Sequence, residues 1–116
     1  MTVLTQGIQP GEFLLSEANG ERSRENVTVT VAGAVALGSG TLLGKITATG
    51  KYIKYLDGAS DGSQAVAAIL LNPLAGVNGD YKCAVFVRDC EVIGSMLTGS
   101  DANGLADLKA LGIIVR

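Results

Sequence analysis

Cys83 and Cys90, Asp57 and Asp61, and the glycine-rich stretch from Gly38 to Gly44 are the residues whose types and spacing bear most directly on chemistry. Each set stops short of a site. The cysteines are seven positions apart in a chain that contains no histidine, so they cannot close a zinc site by themselves. The missing histidine also removes the usual general base, the usual nucleophile triads and the commonest metal ligand. Two packed or partly exposed thiols are expected instead. Asp57, Ser60 and Asp61 fall within five residues and suggest calcium, but an EF-hand loop opening at Asp57 would carry Ala68 where its bidentate Glu belongs. Carboxylates capping consecutive turns are the simpler expectation. Gly38-Ser39-Gly40-Thr41-Leu42-Leu43-Gly44 is one residue too long for a dinucleotide fingerprint, and Gly44-Lys45 lacks the following Ser/Thr and the upstream glycine of a Walker loop. These glycines read as bends. No catalytic group, cofactor or metal is expected, and the chain reads as something other than an enzyme.

Weaker signals are absorbed in the same way. Lys51, Tyr52, Lys54 and Tyr55 form a basic and aromatic cluster, but lysines on a short strand ordinarily make a solvated or edge-protecting face. Asn26-Val27-Thr28 matches a glycosylation acceptor, a chemistry that needs a secretory route, and the first seven residues show neither the charged nor the apolar region of a secretory signal. Nine basic against eleven acidic residues give a net charge of −2 without a basic run, so direct nucleic-acid binding is not expected. No segment approaches the roughly 18 apolar residues of a membrane span. A soluble protein made in the cytoplasm is the expectation.

The elements that would position any site are strands divided by glycine punctuation. At 116 residues the chain suffices for one compact core. That core should be aliphatic, since 47% of the chain is hydrophobic while only two Phe and three Tyr are aromatic and there is no Trp. Val27, Val29 and Val31 alternate with Thr28 and Thr30 at the period of a half-buried strand. Residues 41–48 read as a second strand bent at Gly44, and residues 51–56 as a third. The apolar run 65–71, stopped by Asn72-Pro73, suits a strand buried on both faces. Asn78-Gly79-Asp80 signals a turn before a strand from Tyr81 to Arg88, with residues 90–93 as its extension. Leu105, Leu108 and Leu111 recur at helical spacing, with Asp101 or Asn103 as the cap, Gly112 at C′, and a last short strand at Ile113-Ile114-Val115. The fold class expected is mainly β with a short C-terminal helix.

Ahead of these elements lies a polar, turn-rich arm carrying one apolar patch, Phe13-Leu14-Leu15. Two readings stay open. The patch packs on the chain's own core as a first strand, or it adds to the sheet edge of a partner, where main-chain hydrogen bonds give affinity and alternate side chains give specificity. Ten extended residues reach about 35 Å, enough to engage a neighbouring molecule.

Several segments, in order, carry a resemblance. They are Gly11-Glu12-Phe13-Leu14-Leu15-Ser16-Glu17, Arg22-Ser23-Arg24-Glu25-Asn26-Val27-Thr28, Leu43-Gly44-Lys45-Ile46-Thr47, Lys51-Tyr52 through Leu56-Asp57-Gly58, Asp61-Gly62 with the apolar run after it, and the tail Ala110-Leu111-Gly112-Ile113-Ile114-Val115-Arg116. From Gly11 to Arg116 the chain resembles the lambda-type phage head decoration proteins, with Leu56 at a place where members often carry Trp. The resemblance implies a small β-clip-like domain with an extended N-terminal arm. Residues 1–26 would be the capsid-binding arm and residues 27–116 the compact trimerising domain. It further implies a homotrimer on the outer surface of the phage head at three-fold positions, cementing the expanded, DNA-filled shell. Gly11, Glu12, Phe13, Leu14, Leu15 and Ser16 would contact the major capsid protein. Small residues 32–40 offer a place for subunits to approach the three-fold axis.

Two rivals come from other classes. A trimeric nucleotide hydrolase of the dUTPase type shares a related architecture, but it wants an Arg-Ser phosphate loop, and Arg22-Ser23-Arg24 lies in the arm. A phage tail-tube or adaptor subunit is compatible with both the strand content and the arm.

Overall fold

The computed structural model describes residues 13–17 and 23–116. Within them the chain forms β1 (Leu14–Glu17), β2 (Arg24–Val31), β3 (Leu42–Lys45), β4 (Tyr52–Lys54), β5 (Val66–Leu70), β6 (Gly79–Phe86), β7 (Cys90–Val92), α1 (Ala102–Ala110) and β8 (Ile113–Val115), with a single 3₁₀ turn at Gly94–Met96. The mainly β reading with one short C-terminal helix holds.

Five strands close into a barrel in the order β2-β4-β3-β5-β6, and β1, β7 and β8 make a separate three-stranded sheet in the order β1-β7-β8. The longest ladder is antiparallel β2 on β6, from Arg24 opposite Phe86 to Val31 opposite Gly79. Closure comes at the opposite edge of β2, where a single parallel pair, Val29 with Tyr52, joins it to β4. Beside that pair an apolar groove of about 240 Å³ lies between residues 30–32 and 53–56, with Val35 and Leu37 on its wall. Leu56, 64% exposed, is its least covered large apolar side chain.

Two cores share the barrel wall. Val29, Val31, Leu43, Tyr52, Ala68, Leu70, Cys83 and Val85 pack together in one. Leu42, Ile69 and Phe86, from the same strands but one residue out of phase, face the other, which holds Phe13, Tyr55, Cys90, Val92, Leu108 and Ile113. Alternate side chains of a strand point to opposite faces, so β5 is apolar throughout because both its faces are covered. The continuous run 65–71 is thereby explained.

The bend expected at Gly44 is a β-bulge between Leu43 and Gly44 where β3 pairs with β5. A Cβ on Gly44 would lie 2.5 Å from the Ser63 Cα, so the glycine is required by backbone approach. The sequence joins residues 90–93 to the strand before them, and here the structure differs. Asp89 takes a positive φ of 51°, and β7 leaves the barrel for the second sheet. Four polar or glycine-like backbone positions in a row would have marked such a turn; Arg88-Asp89 alone is a faint signal.

At the C-terminal end Asp101 is the helix cap, its Oδ1 accepting from the Gly104 N–H at 2.6 Å. Gly112 follows the helix with φ 82°, the left-handed conformation expected of C′. Leu108 is buried, and Asp107 Oδ2 accepts from the Val66 N–H at 3.0 Å, fastening the helix to β5.

Candidate functional site

The residues with catalytic or metal-binding types are dispersed into structural duties. Cys83 and Cys90 are free, buried thiols in different cores. Burial pushes both thiols up, Cys90 to about 11 with the Glu17 and Asp89 charges adding to the effect, which is the reverse of an activated cysteine. Asp61 caps its own turn through the Ser63 hydroxyl and N–H, and those bonds hold its carboxyl below the usual range. Asp57 accepts from Asn103 Nδ2 and from the Tyr55 hydroxyl, 2.9 Å from Asp101 at its stronger bond. No three His, Cys, Asp or Glu residues cluster as a metal site among the described residues. Lys51 pairs with Asp80 at 2.6 Å across the barrel surface, and Lys54 is exposed, as expected of a solvated strand face. Among the described residues no helix is long and apolar enough to cross a membrane.

The remaining candidate is the N-terminal apolar patch, and its geometry is distinctive. Phe13 is wholly buried against the chain's own core, its ring edge-on to Phe86 with centroids 5.8 Å apart. Its carbonyl accepts from the Ile93 N–H at 2.7 Å, opening the antiparallel pairing of β1 with β7. One of the two readings of the patch is thus realised at Phe13. A bulge after Leu14 shifts the register, so that Ser16 faces Glu91 and Glu17 faces Cys90. Leu15 is left 51% exposed. Gly11 and Glu12 lie outside the described residues.

Charged groups fasten this strand at its other end. Arg24 grips Glu17 with two bonds, Nε to Oε2 at 2.9 Å and Nη2 to Oε1 at 2.7 Å, while its guanidinium lies 5.2 Å from the centre of the Phe86 ring. The planar fork suits a carboxylate and an aromatic face at once. The Arg24 bond holds the Glu17 carboxyl below the usual range. Across the outer face of the sheet, Ser16 and Arg116 both donate to Glu91, at 2.8 and 2.7 Å, and these bonds, Arg116's first, depress the Glu91 carboxyl.

The assembled site is therefore an edge strand. β1 is bonded on one side to β7, and its other side carries no partner strand among the described residues. An exposed edge is a template for main-chain pairing with another chain. Sequence reasoning identified the patch but not that Phe13 and Leu15 part company, one inward and one outward. The pairing of Arg24 with Glu17, seven residues apart in the chain, was also out of its reach.

A family model described as bacteriophage lambda head decoration protein D matches residues 3–113, nearly the whole chain. Among curated proteins nothing matches.

Proposed function

We propose that this chain, which belongs to the bacteriophage lambda head decoration protein D family, is a homotrimeric cement that binds the outer surface of the phage head at three-fold positions and stabilises the expanded, DNA-filled shell. Its membership makes it a structural component of phage head decoration. The finer reading rests on one structural observation, an N-terminal strand that is anchored in the body by Phe13 and Glu17 and whose other edge carries no partner strand among the described residues. An anchored strand lets the residues ahead of it transmit load to the core, which a loosely tethered arm does not.

The assignment of residues 11–16 as the capsid contact acquires a division of labour. Phe13 fixes the arm to the body, and Leu15 and Ser16 present an apolar and a polar side chain at the edge. The partner is a strand of the major capsid protein, added by main-chain hydrogen bonds. A trimer would present three such edges, and once one has docked the others bind at high effective concentration. A ring of three buries two different patches on each copy. The groove beside the barrel closure, with Val35 and Leu56 exposed on it, is a suitable one of the two.

The test is cosedimentation with bare expanded capsids of the intact chain and a form lacking residues 1–12, which retains Phe13 and so keeps the core intact. Saturable binding of the intact trimer, lost or much weakened in the truncated one, is expected. An intact protein that ignores its cognate shells, or runs as open rings or tubes in a mass measurement, would move the assignment to a tail-tube or adaptor subunit.

A further inference from the structure

The sheet β1-β7-β8 has a second outer strand, β8. Arg116, the residue after it, donates its N–H to the Val92 carbonyl at 2.8 Å, and its carbonyl accepts from the Gly94 N–H at 3.1 Å, so its main-chain groups face β7. Alternation along the strand turns the N–H and C=O of Ile114 the same way and those of Ile113 and Val115 outward. That outer side carries no partner strand among the described residues.

Beside this edge an apolar groove of about 600 Å³ lies between α1 and β8, lined by Leu105, Lys109 and residues 112–115. Leu105 is 41% and Ile114 48% exposed on it. Proteins blunt an exposed edge with bulges, prolines or charges. β8 reads Ile-Ile-Val and pairs with β7 in unbroken register, and the charge that follows it, Arg116, is tied to Glu91. Lys109 is the one charged residue lining the groove.

We infer that this edge and groove receive residues 2–8 of a second copy of the chain, added to the sheet as a fourth strand. Residues 1–12 lie outside the described residues, and none before Glu12 carries a charged side chain. Thr2, Val3, Thr5 and Ile8 are β-branched, and Pro10-Gly11 sets a turn signal between them and β1. Main-chain bonds to Ile113 and Val115 supply affinity, and an uncharged segment suits a groove whose lining holds a single cation. Leu4 and Ile8 share one face of an extended segment, the face that fits Leu105 and Ile114.

The chain's own arm starts from the wrong edge for this slot. Phe13 leads into β1, and the place outside β8 lies three strand spacings away, about 14 Å. The Gly94–Met96 turn stands at the end of β7 that such an arm would cross. Residues 9–12 span about 13 Å fully extended, too little for the crossing and the rise over that turn, whereas all twelve span about 40 Å and reach a neighbour. Each copy gives one arm and receives one, a head-to-tail contact of the kind that closes as a ring. Closure at three rests on the trimer proposed above; the contact of arm with edge does not, and it leaves residues 11–16 to the capsid.

The test uses the protein alone, so its result is independent of capsid binding. Amide hydrogen exchange at Ile113 and Val115 is measured in the intact chain and in the form lacking residues 1–12, which keeps Phe13. Exchange slower by on the order of 10-fold is expected in the intact chain. Equal exchange in the two forms, or slowing that appears only when capsids are added, would overturn the inference. A chain carrying Leu4→Cys and Leu105→Cys is then mildly oxidised and run denatured without reductant, its native thiols Cys83 and Cys90 being buried. One added thiol joins at most two chains, so covalent trimers of the double variant report arm exchange. Monomers closed on themselves would assign the edge to the chain's own arm, and these, or products no larger than dimers, would also overturn it.

Discussion

Tyr55, Asp101 and Asp57 show how this chain uses polar residues. The Tyr55 side chain is buried, and its hydroxyl donates to Asp101 Oδ1, the same atom that caps α1. Burial, reinforced by the Asp101 bond, raises the phenol well above its ordinary value, so it stays a donor at any working pH. Asp101→Ala removes the cap and the better of two acceptors for the phenol, and a loss of about 1–2 kcal/mol is expected from the cap alone. Asp101→Asn keeps an oxygen in place and should recover most of that loss in urea denaturation. Equal destabilisation by the two variants would show that charge, not the acceptor, matters there. That Asp101 or Asn103 caps a helix was legible from their place before leucines recurring every three residues, and the structure selects Asp101. That it also receives a tyrosine 46 residues away was not, because nothing local records a contact made by tertiary packing.

At the level of the strand, β1 separates anchoring from docking. Phe13→Ala empties a fully buried site beside Phe86 and should cost about 3–5 kcal/mol in chemical denaturation. Leu15→Glu changes a half-exposed side chain and should stay within about 0.5 kcal/mol of the parent, while abolishing attachment to capsids. The reverse pattern, an unstable Leu15 variant or a fully stable Phe13 variant, would contradict the division proposed for residues 11–16. The sequence presents these residues as one apolar patch, since consecutive apolar positions do not reveal a bulge. The register shift after Leu14 that turns Leu15 outward depends on the pairing with β7. Further along, β2 runs from Arg24 without a break through residue 26, so the strand begins inside the stretch read as arm. The three residues ahead of Val27 are exposed and polar, and their β pairing is fixed by β6 opposite them, not by their own pattern.

Across the whole molecule, electrostatics sets an acid limit. Glu17, Glu91, Asp61 and Asp80 all have their carboxyls depressed by hydrogen bonds, from Arg24, Arg116, Ser63 and Lys51 in turn. A folded value below the unfolded one contributes stability that is present above the unfolded value and lost as pH falls through the folded one. With ordinary values of 4.5 for Glu and 3.8 for Asp, Tm should hold from neutral pH to about 4.5 and decline below it. These pairs are at the surface, so the decline should be shallow and weaker in high salt. A Tm that climbs on acidification would refute the assignment. What the sequence by itself determined is what local rules write: strands from alternation, the helix from its leucine spacing, its C-terminal end from Gly112, and the family from the order of its segments. Tertiary structure alone decided that β2 closes on β4 through one pair, that β7 leaves the barrel, that two cores share one wall, and that Phe13 turns inward. Those outcomes hang on contacts between residues far apart in the chain, where several strand orders satisfy the same alternation and only the packing of the whole selects one.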